Sequence, residues 1–227
     1  MDINRSIPEL AITGSRTVAW QRYDLINHII SRRFPTGCRY LEVGLRNPAD
    51  CFDRVNATHK ESVDPGTEGI NEATHKMTSD EYFASECIRR EPFNLVFIDG
   101  LHLSHQVWKD MNNAREVLSS NGFLIVHDCN PPHWSRAHSD YQHFLAHPSE
   151  WNGDVWCAWY FARTQWALAS VCVDTDQGVG VFSMSKSAEP IRHTNRFFSY
   201  GLMADDRASH LGLTSVAEFF QNFDALL

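Results

Sequence analysis

The chain has 227 residues, 43% hydrophobic and 21% charged, enough to bury a sizeable core within one soluble domain. Its net charge of -8, with Lys and Arg never clustered beyond pairs, excludes the basic stripes of a duplex-binding surface, so no nucleic-acid partner is expected. No apolar run approaches the roughly 18 to 20 residues that span a bilayer, and "MDINRSIPEL" lacks the regions of a signal peptide; no membrane partner and a cytoplasmic location are expected.

Along the chain, Tyr23, Leu25, Ile26, Ile29 and Ile30 recur at helical spacing, and Pro35-Thr36-Gly37 ends that helix. "RYLEVG" (39–44) reads as a buried strand, and Asn47 as N-cap before Pro48 predicts a helix almost at once. "ESVDPG" gives a second strand ending at Asp64. Thr78 and Glu81 form a capping box for a helix running to about Arg90. "FNLVFIDG" is a strand, and Ser104 caps a helix whose apolar face is Val107, Met111, Ala114 and Val117. "FLIVHD" is the next strand.

Residues 130–150, rich in proline, histidine and aromatics, suit a long loop or lid. "DVWCAWYFAR" is an aromatic helix whose Trp156, Trp159, Tyr160 and Phe161 suit the core. "WALASVCVDTD" and "GVGVFS" form an antiparallel pair, and a helix follows around "SVAEFFQNF". The six cysteines lack CxxC spacing and read as reduced, buried thiols.

These elements predict an α/β fold, a Rossmann-like doubly wound sheet of five parallel strands with a C-terminal antiparallel hairpin. A single domain is expected, with an N-terminal helical segment (1–37), a core (38–182) carrying the lid, and a C-terminal helical segment (183–227). Ligands of such sheets sit outside the carboxyl ends of the strands, where Glu42, Asp64, Asp99 and Asp128 all fall.

Asp64 lies 22 residues beyond Glu42, the spacing by which a strand-end acid reaches a ribose diol, so an adenosine-containing ligand is expected. A dinucleotide needs three glycines, whereas Gly44 is followed by Leu45, Arg46, Asn47 and Pro48, and no P-loop motif occurs. S-adenosylmethionine has the ribose and adenine without phosphates, and its carboxylate can lie at the first helix N-terminus.

"YLEVGLRNPADCF", "SVDP", "MTSDEYF", "FIDGLH", "LIVHDCNPP", "NGDVWCAW" and "DTDQGVGV" resemble the successive motifs of class I S-adenosylmethionine-dependent methyltransferases. More narrowly, they are similar to the bacterial metal-dependent O-methyltransferases acting on macrolide sugars and polysaccharides. The likeness covers roughly residues 38–182 and departs in the first motif, which lacks the usual G-x-G. It implies that Glu42, Gly44, Asn47, Asp64, Ser79, Asp80 and Asp99 bind the cofactor.

Methyl transfer to a hydroxyl needs a positioned base, and His102, three residues beyond Asp99, has an unperturbed pKa of ~6.5 suited to that task. The resemblance points the same way, because relatives with the D-x-x-H arrangement use that histidine as base; His102 and Asp99 are the expected catalytic pair. A divalent cation, Mg2+ by ligand type, would polarise a sugar hydroxyl, with Asp99, His127 and Asp128 as its expected site. In the metal-dependent relatives two adjacent acids stand where this chain has His127-Asp128. His133, Trp134 and Tyr141 are candidates for an acceptor pocket, since aromatic faces fit sugar rings. A small-molecule or oligosaccharide acceptor is the expected partner, and the terminal helices are candidates for a homo-oligomer contact.

Other readings stand beside this one: a metal-independent small-molecule methyltransferase, a non-catalytic cofactor-binding module, and a zinc-type hydrolase built on the twelve histidines, five of them between His127 and His147. The hydrolase lacks an HExxH motif, and the spacing of His133, His138, His143 and His147 is irregular.

Overall fold

The structure, a computed structural model, describes residues 20–69, 72–85, 91–146 and 151–227. Seven strands form one sheet: β1 (Arg39–Val43), β2 (His59–Val63), β3 (Phe93–Ile98), β4 (Leu118–Val126), β5 (Leu168–Val173), β6 (Val179–Ser187) and β7 (Leu213–Thr214). Their order is β2-β1-β3-β4-β6-β5-β7. β2, β1, β3 and β4 run parallel, while β6 lies antiparallel between β4 and β5. This is the expected Rossmann-like sheet with its closing antiparallel hairpin.

The run holds four parallel strands, not the expected five. After Asp64 the chain turns through Gly66 and Gly69, both at positive φ, and adds only one parallel bridge, Val63 to His75.

The strands alternate their side chains between two apolar layers. Leu41, Val43, Val96, Ile98, Leu124 and Val126 face α3 (Ser104–Val117) and α5 (Val155–Gln165), which contribute Met111, Trp156, Trp159 and Tyr160 to one buried cluster. Tyr40, Leu95, Phe97, Phe123 and Ile125 face α1 (Arg22–Arg33) and the C-terminal α8 (Val216–Leu226), where Ile26, Ile29, Phe219 and Phe223 are buried. The short helices α2 (Ser79–Ala84), α4 (Tyr141–Ala146), α6 (Tyr200–Asp205) and α7 (Arg207–Leu211) complete the described elements.

Thr78 caps α2 as expected: its hydroxyl accepts from Glu81 N at 3.2 Å while Glu81 accepts from Thr78 N at 2.8 Å. The helix is described only to Ala84, and its expected extension to Arg90 lies mostly outside the described residues. The helix expected at Pro48 is instead two 3₁₀ turns, Pro48–Asp50 and Phe52–Arg54. They break at Cys51, whose buried side chain draws the backbone to φ -145°. No full helix therefore points its N-terminus at the cavity there, and the expected dipole contact to a cofactor carboxylate loses its basis. Five cysteines are free, four of them buried, and Cys87 lies outside the described residues. Among the described residues no helix is long and apolar enough to cross a membrane.

Candidate active site

The carboxyl ends of β1 to β4 open into a cavity of about 700 Å³, within the range that holds a cofactor-sized ligand. Glu42, Gly44, Asp64, Ser79, Asp80, Asp99, His102, His127, Asp128 and Tyr141 all line it; Asn47, His133 and Trp134 do not. His133 hydrogen-bonds Ser135, and Trp134 is 65% exposed. His105 is exposed on α3, His147 lies outside the described residues, and the only potential metal-ligand group found among the described residues excludes the lid histidines.

Gly44, at φ +89°, is where β1 touches β3: a Cβ there would stand 2.3 Å from the Asp99 carbonyl oxygen. On this wall Asp64 is held by backbone, accepting from Leu45 N (2.8 Å), Arg46 N (3.0 Å) and Gly66 N (2.6 Å). Glu42 is 2% exposed and takes a 2.5 Å hydrogen bond from the Tyr40 hydroxyl; burial pushes its carboxyl up to about 8. Farther along, Gln106 Nε2 donates to Ser79, Asp80 and Asp110 at 3.0 to 3.2 Å. Burial pushes the Asp110 carboxyl up to about 6.

The opposite wall is ionic. Arg22, the first residue of α1, donates from Nη1 to Asp99 Oδ2 at 2.5 Å and from Nε to Asp176 Oδ2 at 2.8 Å. His127 Nδ1 lies 3.0 Å from Asp99 Oδ1 and 3.2 Å from Asp128 Oδ2, and its Nε2 lies 2.8 Å from the Asp176 carbonyl oxygen. Burial alone would raise the Asp99 carboxyl, but His127 and Arg22 outweigh it and hold it well below the usual carboxylate range. The converse holds for His127: burial opposes its charge, yet Asp128 and Asp99 keep it protonated well above the ordinary range. Asp128 adopts φ +60°, a left-handed conformation that aspartate tolerates, and its Oδ1 accepts from Asn152 Nδ2 at 2.5 Å.

His102 stands between the two strand-end acids. Its Nε2 is 3.4 Å from Asp99 Oδ1 and its Nδ1 3.3 Å from Asp128 Oδ2, the latter buried and without hydrogen-bond alignment. Its ring stacks on Trp151 at 5.5 Å. Gly153 presses on the same loop, since a Cβ there would lie 1.9 Å from the His102 carbonyl oxygen. Ser104 does not cap α3; Asp154 does so from outside, accepting from Ser104 N at 2.6 Å. Trp151, Phe144 and Tyr141 form an aromatic group on the cavity rim with centroids 5.1 to 6.0 Å apart.

Sequence reading missed Arg22, Asp110, Trp151, Asn152 and Asp176. Asn152 and Asp176 lie in the quoted "NGDVWCAW" and "DTDQGVGV" and could have been found there. Arg22 opens an ordinary amphipathic helix and carries no local signal.

Residues 40–129, which contain all four acid-bearing strand ends, match the family model described as "Methyltransferase domain". No curated protein sequence matches the chain. Among solved structures, it is similar to the O-methyltransferase from Bacillus cereus in complex with SAH (8% identity, TM-score 0.46), over 72% of this chain and 82% of that one. It is similar also to the O-methyltransferase TomG from Streptomyces achromogenes, involved in tomaymycin synthesis (10%, TM-score 0.42, 78% and 82%). A third likeness is the MycE methyltransferase of the mycinamycin pathway in complex with Mg, SAH and mycinamycin VI (14%, TM-score 0.44), over 73% of this chain and 49% of that one.

The lining of the cavity suits the S-adenosylmethionine expected from the sequence. Acids stand at successive strand ends, Leu45, Val63 and Leu101 supply apolar surface, and Ser79, Asp80 and Gln106 form a polar edge beyond them. A divalent cation fits less well. Asp99, His102 and Asp128 each bring one ligand atom within 4.8 Å of the others. Yet all four carboxylate oxygens of Asp99 and Asp128 already face donors: Arg22, His127 and Asn152. A dication about 4 Å from a charged His127 would meet repulsion on the order of 8 kcal/mol at an effective dielectric of about 20. His127 itself has no lone pair to offer, because both its nitrogens face acceptors. The expected set Asp99, His127 and Asp128 does not fit a hard dication.

Proposed function

We propose that the protein is an S-adenosylmethionine-dependent methyltransferase that acts on oxygen, methylating a hydroxyl of a sugar, glycoside or other polyhydroxylated small molecule, with His102 as general base. The observation that carries this reading is the place of His102: on the cavity wall, flanked by Asp99 and Asp128, and stacked on Trp151.

Bound S-adenosylmethionine supplies a methyl group on a sulfonium that leaves as a neutral thioether, so no acid is needed. What remains for the chain is to align the acceptor oxygen and take its proton. Asp128 and Asp99 outweigh the burial that would lower the His102 pKa, and raise it. A ring held by two carboxylates gains charge at small cost, which suits it to receive a proton from a weakly acidic hydroxyl. Trp151, Phe144 and Tyr141 offer faces for a sugar ring, and Tyr141 is tied to Glu68 at 2.7 Å, anchoring α4 across the cavity. A mannoside of a bacterial polysaccharide is one acceptor of this class. No divalent cation takes part in this proton transfer.

Calorimetric titration with S-adenosylhomocysteine, followed by methyl transfer to a panel of neutral glycosides, tests the reading. Saturable binding and transfer to a glycoside support it. Binding with transfer only to non-hydroxyl acceptors rejects the oxygen assignment, and no binding rejects the cofactor site.

A further inference from the structure

Four groups beneath the cavity close on one another. Arg22 Nη1 donates to Asp99 Oδ2, His127 Nδ1 faces Asp99 Oδ1, His127 Nε2 faces the Asp176 carbonyl oxygen, and the Asp176 carboxylate accepts from Arg22 Nε. Asp176 Oδ2 also accepts from the Arg22 backbone N at 2.9 Å, so the first turn of α1 is fixed to the β5–β6 turn.

Geometry decides the protonation of His127. A carbonyl oxygen only accepts, so Nε2 carries hydrogen; Nδ1 faces two carboxylate oxygens, at 3.0 and 3.2 Å, so it carries hydrogen too. The ring is an imidazolium that is 3% exposed. Two cations, Arg22 and His127, then face three carboxylates: Asp99 and Asp176 in the closed loop, and Asp128 on the second face of Nδ1. The positive charge that a divalent ion would bring to Asp99 and Asp128 is built into the chain.

We propose that His127 and Arg22 take the place of a divalent cation at this centre. They are positioning residues that hold Asp99 and Asp128 around His102, and methyl transfer is independent of added metal. This rests on the reading of the cavity as a methyl-transfer site, but its test does not.

The full chain, stripped with EDTA and desalted, is titrated calorimetrically with magnesium chloride and manganese chloride, with and without S-adenosylhomocysteine. The wild type is expected to show no saturable metal binding up to about 10 mM, weaker than ordinary protein sites. Its affinity for S-adenosylhomocysteine is expected to be unchanged by metal. His127→Asp removes the cation and places two acids side by side; it should bind manganese at least about tenfold more tightly than the wild type, near or below 1 mM. Arg22→Met frees Asp99 Oδ2 and should shift affinity in the same direction by less.

Saturable metal binding by the wild type, as tight as that of His127→Asp, overturns the proposal. So does a failure of both variants to gain metal affinity while each still binds S-adenosylhomocysteine. If neither variant folds, the wild-type titration alone decides. If the wild type fails to bind S-adenosylhomocysteine, the functional reading falls while the metal titration still judges this inference.

Discussion

On the β1–β2 side of the cavity, Asp64 is held by backbone amides of Leu45, Arg46 and Gly66, none more than 19 residues away, and Glu42 is held near neutrality by burial. On the β3–β4 side, Asp99 and Asp176 are held by the side chain of Arg22, 77 and 154 residues distant. Backbone donors come with the fold and survive side-chain replacement. Side-chain cations are single points of failure, because removing one leaves buried acids without their partner. The two walls should therefore respond to mutation very differently.

The largest effect is expected at the ionic wall's reacting end. His102→Ala should lower methyl transfer about 10²- to 10⁴-fold, the usual contribution of a positioned base, and leave S-adenosylhomocysteine affinity within about twofold. Steady-state transfer beside calorimetry separates the two. A fall of less than about tenfold would remove the base assignment.

Next comes Arg22→Met, which keeps much of the side-chain stem and deletes the guanidinium. With the Arg22 side chain 20% exposed and its acids 15% and 9% exposed, a loss of about 3 kcal/mol is expected in urea unfolding. A loss under about 1 kcal/mol would mean that water or rearranged side chains replace the clamp, and the contrast between the walls would vanish.

The same contrast explains what was legible in the sequence. Strand ends, the Thr78–Glu81 capping box, the buried aromatic helix and the β5–β6 hairpin follow from local periodicity and turn chemistry, and each appears where it was read. So do the acids at the strand ends, because a doubly wound sheet gathers them whatever their partners. Arg22 could not be read this way, since nothing near it records that α1 and the β5–β6 turn meet. The helix at Pro48 failed for a related reason: good capping residues were overruled by the burial of Cys51 against β1, a tertiary constraint.

Glu42 tests the wall that relies on burial. Its folded pKa of about 8 stands above the usual 4.5, so the folded chain holds this proton more tightly than the unfolded one. The stability contributed by that proton is complete below pH 4.5 and is lost as pH rises toward about 8. Glu42→Gln keeps the shape and removes the titration. The wild type minus variant difference should therefore fall between pH 5 and pH 8 by roughly 2 to 4 kcal/mol, read by urea unfolding at each pH. A flat difference would show that water reaches the carboxyl and that this wall, too, depends on charge pairing.

Thr78→Ala should give the smallest change. Thr78 and Glu81 exchange hydrogen bonds at the exposed start of α2, and a lost cap of this kind costs about 1 kcal/mol. Because Thr78 and Ser79 also line the cavity, the variant asks whether this wall is already formed before a ligand binds. If it is, the loss is the same with and without saturating S-adenosylhomocysteine, and affinity shifts less than about threefold. If α2 orders only on binding, the loss reappears as weaker affinity instead, since the ligand must then supply what the cap no longer does. The satisfied capping box and the Gln106 contacts to Ser79 and Asp80 favour the first outcome: a cavity wall that is formed in advance from local bonds, facing an ionic wall assembled from residues far apart in sequence.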